Sequence, residues 1–310
     1  GPANHQVLVS GSSSSVVYLT TKEGIAAIDT HDLSIKHFTD VPAGVNQLIV
    51  IPGKESDSLL WTDVDGCLSS TREGVTNTFT SKCNVGASLL PDSFDQVSQK
   101  LLFLASPGKM ELLDIKDLSV VATGPVLSKP ILKNGVVVGF DGLGRLLALT
   151  DFEGQFTGLW AHEEPKSGQL APLPGNQFAL TNPDGLVEIY DVLTGAKQHE
   201  FNFGQQLTDW PVVWCDFGRL VVVTAQENQV LTAVWGQDGY EQGLRFTIPD
   251  QISERLFTED DRLYGWTKDG RLLAWWLPKP LQAPFQECSL DDECLPTDFE
   301  PACANSPCHY

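Results

Sequence analysis

The stretch Gln177-Phe178-Ala179-Leu180-Thr181-Asn182-Pro183-Asp184-Gly185-Leu186-Val187-Glu188-Ile189-Tyr190-Asp191 reads as strand, tight turn, strand. Residues 177–181 are short and rich in apolar side chains. Asn182-Pro183-Asp184-Gly185 is a turn signal, because glycine tolerates the positive φ that hairpin turns demand. Beyond the turn the chain alternates. Leu186, Glu188 and Tyr190 fall on one side, and Val187, Ile189 and Asp191 on the other.

The same hairpin recurs along the chain. Val16 to Thr21 is followed by Lys22-Glu23-Gly24 and then Ile25 to Asp29. Ser58 to Thr62 leads through Asp63-Val64-Asp65-Gly66 to Cys67-Leu68. Lys100 to Ala105, Ser106-Pro107-Gly108 and Met110 to Asp114 make a third copy. Val136 to Phe140, Asp141-Gly142-Leu143-Gly144 and Arg145 to Thr150 make a fourth. After the opening stretch, a sixth copy runs Arg219 to Thr224, a turn with Asn228, then Val230 to Val234. The seventh is Arg262 to Thr267, Lys268-Asp269-Gly270 and Arg271 to Trp276.

The turn residues stand at 24, 66, 108, 144, 185, 228 and 270, spaced by 42, 42, 36, 41, 43 and 42. A period of roughly 40 to 45 residues suits one four-stranded propeller blade. Helical solenoids share the period, but the apolar spacing here is two, and Val, Ile, Thr and aromatics dominate. Each repeat has room for an inner strand, such as Val45 to Val50, Gln169 to Leu173 or Pro211 to Trp214. It also has room for an outer one, such as Val75 to Thr80, Ser119 to Thr123 or Gly243 to Ile248. The expectation is an all-β chain: a seven-bladed β-propeller of four-stranded antiparallel blades over residues 3–286. Ring closure would remove exposed sheet edges. Residues 287–310 are expected to form a Cys-rich, irregular, acidic extension, since Pro296, Pro301 and Pro307 argue against helix or central strand. Leu281 to Phe285 reads as a last outer strand.

Two segments carry a family resemblance. Leu186-Val187-Glu188-Ile189-Tyr190-Asp191-Val192-Leu193-Thr194-Gly195 and Leu146-Leu147-Ala148-Leu149-Thr150-Asp151-Phe152-Glu153-Gly154 resemble the quinoprotein-like (PQQ-like) propeller repeat. There a strand ends in Asp, a Thr-Gly or similar turn follows, and a Trp often closes the outer strand. Gly24-Ile25-Ala26-Ala27-Ile28-Asp29 is a looser match, and Trp160 stands where a closing Trp would. WD-type propellers share the period. The resemblance implies an adjacent Cys-Cys pair and usually eight blades where the quinone cofactor is bound. No two cysteines are adjacent here, so no cofactor is expected. Similar bacterial propellers act as accessory subunits of envelope assembly machines.

Charge narrows the partners. The chain of 310 residues carries 40 acidic and 20 basic side chains, a net charge of −20. Such a surface repels phosphate backbones and anionic headgroups, so nucleic acid is not an expected ligand, while a basic protein surface would be attracted. No run of about 18 apolar residues occurs, so no membrane-spanning helix is expected. The opening Gly1-Pro2 reads as the scar of a cleaved tag, so a removed signal peptide is expected ahead of it.

The cysteines point to an oxidising compartment, hence an extracytoplasmic location. Cys288, Cys294, Cys303 and Cys308 crowd the last residues. Their spacing suits disulfides; a zinc site is the rival, but the close Cys pairs usual there are missing. Cys67 opens the third strand of its repeat and Cys83 follows the fourth, so adjacent strands would bring the two within bonding reach. Cys215 is left as a buried thiol. Trp210, Trp214 and Trp235 belong to a cluster of tryptophans in the last two repeats and are the candidate partner-binding residues, against the alternative of packing between blades. Asp63-Val64-Asp65-Gly66 lacks the further ligands of a calcium loop and reads as a turn. The six histidines are scattered, and no Gly-x-Ser-x-Gly elbow or phosphate-binding glycine loop occurs. No catalytic or metal residue is assigned. The expected function is a non-enzymatic protein-binding scaffold. The alternative is a small-molecule or glycan binder using a central funnel.

Overall fold

A computed structural model describes residues 118–207 without a break. On either side it describes the strands, and part of their connections, between residues 8 and 276. The Asn228 and Lys268–Gly270 turns, the Leu281–Phe285 strand and the 287–310 extension lie outside the described residues.

Among the described residues the regular elements are all strands, grouped into consecutive antiparallel meanders. The first comprises β1 (Leu8–Ser10), β2 (Val16–Thr20), β3 (Gly24–Asp29) and β4 (Ile35–Asp40). The second comprises β5 (Val45–Ile51), β6 (Ser58–Asp63), β7 (Cys67–Arg72) and β8 (Val75–Cys83). The third comprises β9 (Ser88–Asp95), β10 (Lys100–Ser106), β11 (Lys109–Asp114) and β12 (Val120–Pro125). The fourth comprises β13 (Ser128–Lys133), β14 (Val136–Phe140), β15 (Arg145–Phe152) and β16 (Gln155–Pro165). The fifth comprises β17 (Gln169–Pro172), β18 (Gln177–Thr181), β19 (Leu186–Asp191) and β20 (Lys197–Asn202). The sixth comprises β21 (Val212–Trp214), β22 (Arg219–Val223), β23 (Gln229–Gly236) and β24 (Gly239–Thr247). The last described group has three strands: β25 (Phe257–Glu259), β26 (Arg262–Trp266) and β27 (Leu272–Trp276).

The hairpin of the opening stretch forms with the expected ends. Gln177 pairs with Asp191 and Thr181 with Val187, so the Asn182–Gly185 turn closes β18 on β19. Expected ends differ from the structure by a few residues elsewhere. β7 runs on to Arg72, and β8 extends far enough to include Cys83 itself.

Burial grades across the fourth and fifth meanders. The second strands are the driest: β14 is buried throughout, and β18 is buried at all but its first residue. The fourth strands are the wettest: β4, β16 and β20 are exposed along most of their length. The fourth strands β4 and β20 are sheet edges. Such an edge needs charged or irregular residues to avoid pairing with another chain, and β20 supplies Lys197, His199 and Glu200.

Contacts group the chain into two units. One holds β1–β16 with the Val192–Gly195 turn; the other holds β17–β27. In the first unit, successive meanders stack face to face. Tyr18 and Ile25 pack with Leu48 and Trp61; Leu60 and Leu68 pack with Leu101 and Phe103; Leu102 and Leu112 pack with Leu132 and Val137. The first strands of neighbouring meanders touch in series: β1 with β5, β5 with β9, β9 with β13. The third and fourth meanders also share one sheet, because Thr123 of β12 bridges in parallel to Gln155 of β16. In the second unit, Ala179, Val187 and Ile189 pack with Leu231 and Ala233.

Candidate functional site

The hairpin turns use their acidic side chains internally. Asp63 Oδ1 accepts the N–H of Asp65 (3.0 Å) and of Cys67 (2.8 Å). Asp141 Oδ1 accepts those of Leu143 and Arg145 (both 2.9 Å), and the Arg145 Nε donates to its Oδ2 (2.8 Å). In both turns the glycine N–H returns to the Asp carbonyl: Gly66 to Asp63 (3.1 Å) and Gly144 to Asp141 (3.0 Å). Those carboxylates cap the chain's own backbone. Among the described residues, no group of three or more His, Cys, Asp or Glu is placed to hold a metal ion.

A second turn type, which the family resemblance marked as a strand ending in Asp followed by a Thr-Gly or similar turn, joins third to fourth strands. Asp29, Asp114 and Asp191 end β3, β11 and β19. Each donates its N–H to the carbonyl five residues on: Ser34 (2.8 Å), Ser119 (2.9 Å) and Ala196 (2.9 Å). The residue before that acceptor has positive φ: Leu33 (60°), Leu118 (57°) and Gly195 (68°). The signal is there in Asp32-Leu33-Ser34, Asp117-Leu118-Ser119 and Thr194-Gly195-Ala196.

Trp160 and His162 latch the outer strand β16 onto the Val192–Gly195 turn. The Trp160 indole N–H donates to the Val192 carbonyl (2.8 Å). The His162 Nε2 lies 3.0 Å from the Gly195 carbonyl, so that nitrogen carries the proton, since a carbonyl only accepts. The two rings meet edge to face at 5.5 Å. A Cβ on Gly195 would stand 2.6 Å from the indole, so glycine admits the ring.

Two buried carboxylates stand at matching places on third strands: Glu111 on β11 and Glu188 on β19. Lys109 pairs with Glu111 at 3.1 Å. Lys197 reaches Glu188 at 3.6 Å and also binds Glu200, which lies opposite Glu188. Tyr190 stacks on Phe178. Burial pushes its phenol far above the usual range, and the neighbouring Glu188 carboxylate adds to that. Burial also lowers the His199 pKa.

A polar corner lies at the other end of that hairpin. Gln169 faces Thr181 across β17 and β18. Gln169 Oε1, Thr181 Oγ1, Asn182 Oδ1 and Gln205 Nε2 are buried without a hydrogen-bond partner among the described residues. Gln205 lies over the turn: a Cβ on Gly185 would stand 2.3 Å from its carbonyl oxygen. Unlike Asp63 and Asp141, Asn182 leaves its side-chain oxygen unspent.

Of the candidate residues, Cys67 is disulfide-bonded, and the strand register sets Cys83 directly opposite it. Cys215, Cys288, Cys294, Cys303 and Cys308 lie outside the described residues, as does Trp210. Trp214 stands on β21 opposite Arg219, and Trp235 on β23 opposite Tyr240. The largest exposed apolar residues of the first meander gather at β4 and its leading turn: Leu33, Ile35 (66% exposed) and Phe38.

No protein-family model and no curated protein matches the sequence. Solved structures do match in shape. BamB from Moraxella catarrhalis aligns with a TM-score of 0.54 at 15% identity, covering 87% of this chain and 84% of that one. A chain of the mitotic checkpoint complex gives 0.65 at 12%, covering 88% and 87%. KlHsv2, in a form with loop 6CD replaced by a Gly-Ser linker, gives 0.65 at 12%, covering 88% and 98%. These neighbours are propellers of the PQQ-like and WD kinds. The fold of this chain is a β-propeller. A four-stranded antiparallel meander is the blade unit of such a fold, with its fourth strand as the outer edge. Trp160 stands on such an edge and locks it to a turn.

Proposed function

We propose that the protein is a non-enzymatic, extracytoplasmic scaffold whose propeller docks a protein partner on one face. In this reading residues 3–286 close as seven blades and residues 287–310 form a disulfide-stapled acidic tail. The observation that carries it is the propeller fold over most of the chain: a rigid stack of sheets whose connecting loops offer a broad surface. One of its structural neighbours was solved inside an assembly, the mitotic checkpoint complex. The apolar residues exposed along β4 and the net charge of −20 favour a partner with apolar and basic contacts over nucleic acid. The proposed partner-binding tryptophans are Trp210, Trp214 and Trp235.

An affinity pull-down from native envelope extract, with the propeller as bait, should recover a stable partner that high salt releases. Recovery of none counts against docking. The proposed location rests on the bridge assigned to Cys67 and Cys83. Peptide mass mapping without reductant should return those two peptides joined, lighter by two hydrogens than the free pair. Free thiols at both positions would instead favour a reducing compartment.

The polar corner of Gln169, Thr181, Asn182 and Gln205 favours the second reading, a small-molecule or glycan ligand. Its buried atoms are two amide oxygens that accept, the Thr181 hydroxyl that accepts and donates, and one amide donor, a set that suits a hydroxyl-rich molecule. Raised thermal stability with simple sugars or with PQQ would promote that reading over the scaffold.

A further inference from the structure

Asn134-Gly135 is the single Asn-Gly dipeptide in the chain. Asparagine before glycine readily modifies itself, because glycine's freedom lets the next backbone nitrogen reach the side-chain carbonyl carbon. Here the pair forms the two-residue turn between β13 and β14, with φ of 50° and 76°. Its flanks pair Lys133 with Val136. That is the turn type asparagine and glycine favour in hairpins.

The reactive nitrogen of this pair is held by a residue from another blade. Gly135 N–H donates to Asp95 Oδ2 at 2.8 Å. Asp95 is only 4% exposed. Its Oδ2 also accepts the Ser98 N–H (3.0 Å), and its Oδ1 faces the Val97 N–H (3.4 Å). The carboxylate thus ties the β9–β10 turn to the β13–β14 turn. Lys133 is half-buried near Asp95; desolvation lowers its pKa and Asp95 opposes that shift.

We propose that Asn134 is a latent deamidation site, kept closed by Asp95, whose buried carboxylate holds the Gly135 N–H in a hydrogen bond. Release of that nitrogen starts the reaction. It loses its proton to solvent base and bonds to Asn134 Cγ. The bond from Cγ to Nδ2 breaks, and ammonia leaves with the proton it needs. Water then opens the succinimide at either carbonyl, yielding aspartate or isoaspartate at position 134. The balance is asparagine plus water to acid plus ammonia, with no oxidant or reductant. Either product sets a new carboxylate near Asp95. The isoaspartate also adds a methylene to a turn whose two residues just span the paired ends, so the modification is expected to loosen this hairpin.

The test is peptide mass spectrometry of the whole protein incubated at mildly alkaline pH, following the mass gain of the peptide containing Asn134. Asp95→Ala should deamidate at least about tenfold faster than wild type in native buffer, the scale of one hydrogen bond to a charged acceptor. In denaturant the two should react equally. Ser98→Ala, which keeps the backbone N–H, should behave as wild type. A folded Asp95→Ala that reacts no faster, or more slowly, overturns the proposal. If Asp95→Ala does not fold, wild type decides alone. Hydrogen exchange at the Gly135 amide and deamidation at Asn134 should rise together as denaturant is added below the unfolding transition. Deamidation while that amide stays protected overturns it equally.

Discussion

Leu33, Leu118 and Gly195 occupy one position in three turns, and only one of them is suited to it. A left-handed backbone costs an ordinary residue about 1–2 kcal/mol, and glycine escapes that at a smaller entropic cost. Leu33 is exposed and packs little. Leu33→Gly is therefore expected to be neutral or to stabilise by up to about 1 kcal/mol in urea unfolding. Gly195→Ala should destabilise by more than about 2 kcal/mol, because strain joins a clash with the Trp160 indole. Equal effects of the two substitutions would show that the turn does not govern these residues.

Asp29 illustrates how the same turns respond to acid. Its carboxyl is held down to about 2, first by the Lys36 ammonium and then by the His31 N–H. The Ser34 hydroxyl lowers Asp32, and the Arg145 N–H lowers Asp141. A depressed carboxylate favours the folded state above its unfolded pKa, here 3.8, and that contribution fades as pH falls through the folded value. The denaturation midpoint should decline between about pH 4 and pH 2. Asp29→Asn should flatten part of that decline; an unchanged slope would mean that Asp29 plays no part in it.

At the scale of elements, the fourth strand β16 adds to the way blades hold to one another. β16 does so in two ways. Its first residue bridges to Thr123 of β12, and Lys100 reinforces that end through Asp151 at 2.9 Å. Further along, Trp160 and His162 grip the Val192–Gly195 turn. Trp160→Phe keeps an aromatic ring but removes the indole donor, leaving the Val192 carbonyl short of a partner. It should cost about 1 kcal/mol in chemical denaturation. The amides of that turn should also exchange faster, an effect that loss of packing elsewhere would not produce.

Across the whole molecule, charge acts over longer distances than any of these contacts. A net charge of −20 makes the folded chain repel itself. Salt shortens the reach of that repulsion to about 10 Å at 0.1 M and less above it. Melting temperature should rise with sodium chloride up to about 0.5 M, while capture of a basic partner weakens over the same range. A melting temperature indifferent to salt would mean that the charges are already compensated locally.

Sequence alone determined the repeat. Period-two alternation and glycine or asparagine turns at a spacing near forty place the second and third strands almost to the residue, as at Gln177–Thr181 and Leu186–Asp191. These strands are legible because burial on a sheet forces apolar side chains into a regular pattern. The fourth strands were harder to read. β4 (Ile35–Asp40) and β20 (Lys197–Asn202) face water, so nothing compels alternation. What only tertiary structure decided is where long-range polar groups go. That Asp95 reaches Gly135, forty residues on, and that Trp160 reaches Val192 are products of blade packing. The buried, unspent oxygens around Thr181 arise in the same way. A hydrogen bond between distant segments leaves no period in the chain, because it needs one residue at each end rather than a pattern at either.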